Sequence, residues 1–218
     1  MILAAGRGER MRPLTDTMPK PLLQVAGTPL IVHHLQNLAR ANIRDVVVNH
    51  AYLGEQIVAA LGDGRQFGLR IQYSPEAPVL ETGGGIFRAL PMLGDGPFVV
   101  INGDVWTDFD FATLVSRRVD LAHLVLVANP PQHPNGDFAF ADGQVLASGT
   151  PRHTFSGIGL YRAEMFVDCK PEPFPLAPLL RKAMADNRVS GELYFGKWFD
   201  IGTPQRLAEL DAQLRGND

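Results

Sequence analysis

The chain has 218 residues, with 20 Lys and Arg against 23 Asp and Glu, and its net charge is -3. This balance argues against a nucleic-acid partner and against binding to an anionic membrane. The only cysteine, Cys169, excludes an intrachain disulfide and a thiolate metal cluster, and it suits the reducing cytoplasm. The first residues lack the basic and long apolar segments of a signal peptide, and no apolar run reaches the ~18 residues that span a bilayer. We therefore expect a cytoplasmic protein.

Short apolar segments alternate with helical patterns over the first part of the chain, as in a largely parallel sheet covered by helices. The predicted elements are a strand over 1–5, a helix after the turn at 27–29 with Thr28 as N-cap, a strand over 45–49, a helix over 53–61, a strand over 69–73, a helix over 82–93, and strands over 98–101 and 121–127.

The pattern changes after Asn129, where prolines and glycine form a loop. The elements predicted beyond it are a hairpin over 137–146, a strand over 155–161, a helix over 176–185, a strand over 197–201 and a helix over 203–214. Without a linker or an internal repeat, the sequence predicts one domain over 1–218. Its predicted fold is Rossmann-like α/β, with a mostly parallel sheet flanked by helices and a small lobe inserted in the C-terminal half. Hexapeptide repeats of a β-helix are absent, which favours a monomer or a small homo-oligomer.

The most informative chemical signal is a glycine turn at Gly6 and Gly8, directly after the first strand. Glycines in this position let backbone N–H groups approach a phosphate chain closely. The basic residues around the turn favour an anionic ligand such as a triphosphate; they are Arg7, Arg10, Arg12 and Lys20. A dinucleotide fingerprint is disfavoured because its third glycine is missing, and a Walker loop is excluded because no Gly-Lys-Ser or Gly-Lys-Thr occurs.

Two aspartates emerge from the ends of apolar strands, the position where ligands bind in open α/β sheets. Asp104 closes Asn102-Gly-Asp104, and Asp200 lies within Trp198-Phe-Asp-Ile-Gly-Thr203. Each could instead cap the next turn or helix, and Thr203 is an alternative cap for the last helix. As a pair they offer the hard oxygen ligands that Mg²⁺ takes together with substrate phosphates.

A third glycine-rich segment, Glu81-Thr-Gly-Gly-Gly85, leads into a predicted helix. Consecutive glycines are costly in chain entropy, which favours close approach by a flat group or by backbone. A loose loop is the alternative interpretation.

In this combination and order, the motifs resemble those of the sugar-phosphate nucleotidylyltransferases. The segments that carry the resemblance are Leu3-Ala-Ala-Gly-Arg-Gly-Glu-Arg-Met11, Pro19-Lys-Pro21, Asn102-Gly-Asp104 and Trp198-Phe-Asp-Ile-Gly-Thr203. They span nearly the whole chain, and the first is the most specific.

The resemblance implies roles for individual residues. Arg10 would bind the departing pyrophosphate and Lys20 the α-phosphate region, so that both would be catalytic together with the magnesium ligands Asp104 and Asp200. The triphosphate and the base would contact Ala5, Gly6, Gly8, Glu9, Arg10, Lys20, Glu81, Gly83, Gly84 and Gly103. The sugar phosphate would contact Asn102, Trp106, Gly136, Asp137 and Gly157.

The sequence departs from the family pattern at two places. Position 9 is Glu9, where the family commonly has Thr or Ser. Residues 148–152 lack the lysine of a Glu-Lys-Pro segment that binds the sugar phosphate in many relatives. Arg152 or magnesium itself is the candidate substitute for that lysine.

The implied reaction is Mg²⁺-dependent transfer of UMP from UTP to a sugar 1-phosphate. The likeness is greatest to the uridylyltransferases that act on N-acetylmuramate 1-phosphate in bacterial cell-wall recycling, and mannose-1-phosphate guanylyltransferases and glucose-1-phosphate nucleotidylyltransferases share the general pattern. Residues 1–128 would bind the nucleotide, and residues 129–218 mainly the sugar, with the second metal aspartate. Two other hypotheses are a non-catalytic nucleotide-sugar-binding protein and a cytidylyl- or molybdopterin-type transferase.

Overall fold

The computed structural model describes residues 1–216. The strands are β1 (Ile2–Leu3), β2 (Gln24–Val25), β3 (Thr28–Pro29), β4 (Asp45–His50), β5 (Arg70–Pro75), β6 (Phe98–Asn102), β7 (Val105–Thr107), β8 (Ala122–Val127), β9 (Phe138–Ala141), β10 (Gln144–Leu146), β11 (Arg152–Tyr161), β12 (Val189–Tyr194) and β13 (Trp198–Asp200). The α-helices are α1 (Leu30–Arg40), α2 (Gly54–Leu61), α3 (Glu81–Leu93), α4 (Ala112–Val115), α5 (Leu176–Ala185) and α6 (Pro204–Arg215). Among the described residues, no helix is long and apolar enough to cross a membrane.

The chain forms two compact units, each built from separate stretches of sequence. The first unit comprises residues 2–79, 102–115 and the described chain from 197 onward. Its parallel strands run in the order β5-β4-β1, and β2 pairs with β3, and β7 with β13, in antiparallel fashion. One hydrophobic cluster joins α1, α6 and β2 to the segments around residues 11 and 201, and this packing fixes the loops described below. The cluster consists of Met11, Leu23, Val25, Leu30, Ile201 and Leu210.

The second unit comprises Met1 and residues 80–101 and 116–196. Its strands run in the order β6-β11-β8-β12-β10-β9. The strand β11 is antiparallel to β6 and β8, whereas β8 and β12 are parallel. All six residues of β8 are buried, as expected for a continuous apolar strand covered on both faces. Helices α3 and α5 belong to this unit.

The predicted α/β fold is confirmed, and α5 coincides with its predicted range. Parallel pairing holds for β5, β4 and β1 of the first unit, and β11 gives the second unit a mixed sheet. The prediction of Thr28 as a helix cap is wrong, because Thr28 pairs within β3 and Pro29 is the N-cap of α1. The strands β2, β3, β7 and β12 were missed. That residues 1–218 fold as one domain, in which 1–128 bind the nucleotide and 129–218 mainly the sugar, stays a prediction.

Candidate functional site

The glycine turn of the first unit packs directly on Lys20. Gly8 has a φ of +65°, and a Cβ added there would lie 3.0 Å from Thr15 Cγ2 and 3.2 Å from Lys20 Cβ. The Lys20 side chain is only 9% exposed, and its Nζ donates to Asp104 Oδ2 at 2.8 Å. The lysine therefore links the opening turn to the aspartate that follows β6.

The main chain at Asp104 lies next to the main chain at Asp200 and Ile201 because the strands β7 and β13 pair. Asp200 is the register partner of Val105 in the β7–β13 ladder, and the Ile201 backbone N–H donates to the Asp104 carbonyl at 2.9 Å. Gly103 brings this turn close to β1, since its N–H donates to the Leu3 carbonyl at 2.8 Å. A Cβ at Gly103 would lie 2.5 Å from that carbonyl oxygen, so the position requires glycine.

Two arginines border the segment that contains Asp200 and Gly202. Arg206, in the first turn of α6, donates from Nη1 to Asp200 Oδ2 at 2.5 Å and to the Asp200 carbonyl at 3.2 Å. A Cβ added at Gly202 would lie 2.5 Å from Arg206 Nη2 and 3.3 Å from Arg10 Nη1, so both guanidinium groups border this glycine. Thr203 is the N-cap of α6, with its hydroxyl accepting from the Arg206 backbone N–H at 3.3 Å. Thr203 therefore caps α6, and Arg206 binds the side chain of Asp200.

Arg206 is a site residue that the sequence analysis missed. A signal was present, because the N-terminus of a helix disfavours a cation unless a specific anion compensates. The identity of that anion depends on how β13 enters α6, which the sequence pattern alone did not show.

A buried histidine supports the strand next to Asp104. His34 of α1 donates from Nε2 to the Val105 carbonyl at 2.8 Å, and burial lowers its pKa to about 4. Within residues 1–216, its Nδ1 is buried without a hydrogen-bond partner. The ring is therefore neutral at ordinary pH and supports β7 through this hydrogen bond.

Trp106, predicted to contact the sugar phosphate, packs within the first unit. Its ring lies 6.0 Å from that of Phe199 and 6.3 Å from that of His33, measured between centroids. Asn102 ends β6 and is half-buried. Substrate contacts for Trp106 and Asn102 stay predictions.

A second missed residue, Asn49, holds the start of the opening turn. Its Oδ1 accepts from the Ala4 backbone N–H at 2.8 Å, and its Nδ2 donates to Glu76 Oε1 at 2.6 Å. Both Asn49 and Glu76 are buried. A polar residue at the end of the apolar strand β4 is the same signal that identified Asp104. These hydrogen bonds fix the position of Ala4. Of the residues that follow it, Ala5 is buried, and Gly6 and Glu9 are exposed.

In the second unit, the glycines at the start of α3 pack against their own chain. The backbone N–H groups of Gly83 and Gly84 donate to the Phe174 carbonyl at 2.9 and 3.1 Å. A Cβ at Gly84 would lie 2.6 Å from the Glu172 carbonyl oxygen, and one at Gly83 would overlap the Phe174 ring. The close approach that the sequence predicted is made by this segment. Contacts of Glu81, Gly83 and Gly84 with a base stay predictions.

The loop predicted to contact the sugar is closed by hydrogen bonds around Asp137. Its Oδ2 accepts from the Phe155 backbone N–H at 2.8 Å, and its carbonyl accepts from the Arg152 guanidinium. Gly136 has a φ of +59°, and Gly157, at +79°, lies where the β11–β8 register shifts. Arg152, the candidate substitute for the missing lysine, is thus engaged by the loop itself.

The two aspartates are the candidate oxygen ligands for a divalent cation. Among residues 1–216, no group of three or more His, Cys, Asp or Glu is arranged to hold a metal ion. Asp104 and Asp200 are the kind of donor set that suits Mg²⁺, which takes one or two carboxylates and completes its octahedron with water and substrate phosphates. The residues present therefore fit this ion.

Comparisons with known proteins agree with the motifs. A family model described as nucleotidyl transferase matches residues 1–144. The chain is 54% identical to the N-acetylmuramate alpha-1-phosphate uridylyltransferase of Neisseria meningitidis serogroup B, over 97% of this chain and 96% of the relative. It is 38% identical to the protein of the same name from Caulobacter vibrioides, over 98% and 96%.

A solved structure shows the same fold. A Bacillus anthracis protein described as a glucose-1-phosphate thymidylyltransferase, in complex with a sucrose, superposes with a TM-score of 0.88 and 22% identity, covering 98% of this chain and 94% of that one. The predicted family resemblance is confirmed, and so is the prediction of a nucleotidyltransferase. The chain belongs to the nucleotidyl transferase family.

Proposed function

We propose that the chain transfers UMP from UTP to N-acetylmuramate 1-phosphate, giving UDP-N-acetylmuramate and pyrophosphate with Mg²⁺ as cofactor. The observation that carries the proposal is the pair of aspartates next to paired strands, with Asp104 bound by Lys20 and with Arg10 bordering Gly202, two residues after Asp200. The full-length likeness to uridylyltransferases of this name supports the choice of UTP and of the sugar phosphate.

The chemistry requires positioning and charge neutralisation more than proton transfer. A sugar 1-phosphate carries close to two negative charges near neutral pH, because its second pKa is about 6. An oxygen of this phosphate attacks the α-phosphorus of UTP in line, a new P–O bond forms, and the bond to the bridging oxygen of pyrophosphate breaks. No general base is needed.

The barrier is the repulsion between two polyanions. Lys20 and Arg10 would lower it by placing positive charge beside the α-phosphate and the departing pyrophosphate. Asp104 and Asp200 would hold magnesium, which when bound screens phosphate charge and polarises a phosphoryl oxygen. The single cysteine supports a cytoplasmic setting, and cell-wall recycling would be the use of the product. A monomer or small homo-oligomer is proposed on the sequence grounds above.

A pyrophosphate-release assay tests the proposal over a grid of nucleotides and sugar phosphates. The nucleotides are UTP, GTP, dTTP, CTP and ATP; the acceptors are the 1-phosphates of N-acetylmuramate, mannose and glucose, with Mg²⁺ or with EDTA. We expect the highest kcat/KM for UTP with N-acetylmuramate 1-phosphate, and loss of release with EDTA. Preference for GTP with mannose 1-phosphate would replace this assignment by a guanylyltransferase. Nucleotide binding without release from any pair would favour a binding protein, although Lys20, Asp104 and Asp200 are all retained.

A further inference from the structure

Each of the two aspartates is paired with its own cation. Lys20 holds Asp104 at 2.8 Å, and Arg206 holds Asp200 at 2.5 Å. The carboxylates are 40% and 28% exposed, so neither charge is fully screened by water. Lys20 belongs to the family motif, whereas Arg206 lies outside the motifs that carry the family resemblance.

Arg206 makes contacts that fix the direction of the Asp200 side chain. Its Nη1 reaches both Oδ2 and the backbone carbonyl of Asp200, so the carboxylate is tied to its own main chain through one nitrogen. Arg206 Nε lies 3.5 Å from the Thr203 hydroxyl, at the limit of a hydrogen bond. The guanidinium is only 20% exposed, and the arginine is anchored in the first turn of α6. These contacts leave the Asp200 carboxylate little rotational freedom.

Gly202 provides the room for this arrangement. Any side chain at this position would overlap Arg206 Nη2 and crowd Arg10 Nη1. The atoms in the way are the far ends of flexible side chains, so an added methyl group would displace the guanidinium groups rather than the backbone. Substitution of Gly202 is thus a second, independent way to change the position of Arg206.

We propose that Arg206 is a positioning residue that orients the Asp200 carboxylate for a divalent cation, and that Gly202 makes space for it. The inference rests on the proposed function, in which Asp200 is a metal ligand. Hydrogen-bonded partners of metal-binding carboxylates typically change metal affinity 10- to 100-fold when they are removed. Arg206 would act on the metal through Asp200, and the reacting phosphates need not touch it.

The experiment measures Mn²⁺ binding by electron paramagnetic resonance, without substrates, in four variants and the wild type. We expect Arg206→Gln to weaken Mn²⁺ binding by about tenfold or more. Gly202→Ala should weaken binding in the same direction with both charged residues still present. The matched control is Arg215→Gln, which removes an exposed Arg–Asp ion pair from the same helix and should leave affinity unchanged. Asp200→Asn defines the signal that belongs to this aspartate.

Turnover measured against Mg²⁺ concentration separates positioning from general damage. In Arg206→Gln, the Mg²⁺ concentration for half-maximal turnover should rise, and saturating Mg²⁺ should restore most of kcat because Asp200 remains. In Asp200→Asn, saturation should not restore kcat. If Arg206→Gln does not fold, as judged by circular dichroism, Gly202→Ala decides the question.

Wild-type Mn²⁺ affinity in both Arg206→Gln and Gly202→Ala, with loss in Asp200→Asn, would overturn the role of Arg206 alone. Unchanged affinity in all of these variants would overturn the metal assignment of Asp200, and the inference with it. Tighter binding in Arg206→Gln would also overturn the inference, because the arginine would then compete with the metal instead of orienting its ligand.

Discussion

Two glycine-rich segments of the molecule look alike in sequence and differ in their surroundings. At Gly6, in the opening turn of the first unit, an added Cβ would meet no heavy atom of the described chain within 4 Å, apart from its chain neighbours. At Gly84, at the start of α3 in the second unit, it would lie 2.6 Å from the Glu172 carbonyl oxygen. Glycine clusters therefore indicate close approach without revealing whether a ligand or the chain itself makes it.

The charges around the two segments differ in the same way. The opening turn is bordered by Lys20 and, through it, by Asp104, whereas the α3 segment is bordered by the ring and backbone of Phe174. We expect substitutions near the opening turn to change the reaction, and substitutions in the α3 segment to change the free energy of unfolding.

The largest effect is expected from Asp104→Asn. The amide keeps the shape of the side chain and loses the negative charge that pairs with Lys20 and would bind magnesium. Turnover in pyrophosphate release should fall by on the order of a thousandfold, with an unchanged circular dichroism spectrum. Asp45→Asn, which breaks an exposed ion pair with Arg70 in the same unit, is the control and should turn over normally. Near wild-type turnover in Asp104→Asn would remove this carboxylate from the mechanism.

Gly84→Ala should instead act on stability. Its methyl group meets backbone oxygen, which cannot move aside as a flexible side chain would. Overpacking of this kind costs about 2–3 kcal/mol in the free energy of unfolding, measurable by urea denaturation. Gly96→Ala, where an added Cβ meets open space, is the matched control and should be nearly neutral. Unchanged stability with a raised KM for UTP would show that a ligand, and not the 172–174 segment, explains the glycines.

The sequence predicted those parts of the fold and the site that depend on local pattern. The helix over 176–185 is marked by apolar residues at helical spacing, and Leu176, Leu180 and Met184 are buried in the structure. Asp104 stands out because a carboxylate follows an apolar strand. The strand β12 was missed because its sequence, Val-Ser-Gly-Glu-Leu-Tyr, has a glycine at its centre that pattern alone assigns to a turn.

Contacts between distant residues were beyond the sequence. Nothing near Gly84 indicates that Glu172 approaches it, since the two are joined only by the packing of the second unit. The pairing of Arg206 with Asp200 depends on the turn between β13 and α6, and the support of β7 by His34 depends on the packing of α1. Motifs locate functional groups along the chain, whereas the partners that orient those groups come from tertiary structure.

His34, which supports the strand next to Asp104, is expected to make the stability of the protein depend on pH. The pKa of His34 is lowered to about 4 in the fold, below the 6.5 of an exposed histidine, so the unfolded chain binds the proton more readily. The contribution of neutral His34 to the free energy of unfolding is therefore fully present above pH 6.5 and is lost as the pH falls toward 4. Between pH 7 and pH 5 the loss is about 2 kcal/mol. The test variant is His34→Gln, whose amide can still donate to the Val105 carbonyl. When the free energy of unfolding is measured by urea denaturation at pH 7 and pH 5, the loss assigned to His34 should be absent from this variant. An equal pH dependence in both proteins would show that His34 does not titrate as described.

The smallest effect is expected from Gly6→Ala, and it tests the contrast between the two glycine segments most directly. Because the methyl group meets open space, the free energy of unfolding should change by less than about 0.5 kcal/mol. If the open space is where the nucleotide lies, the same methyl group should raise the KM for UTP by about tenfold, which corresponds to about 1.4 kcal/mol of binding.

The two measurements on Gly6→Ala must be made on one preparation, since their combination carries the conclusion. A raised KM at unchanged stability means that the space is used by a substrate, in contrast with Gly84, where the chain fills it. Equal KM values for variant and wild type would place the nucleotide away from this glycine. The basic residues around Lys20, rather than the backbone of the turn, would then be what binds the triphosphate.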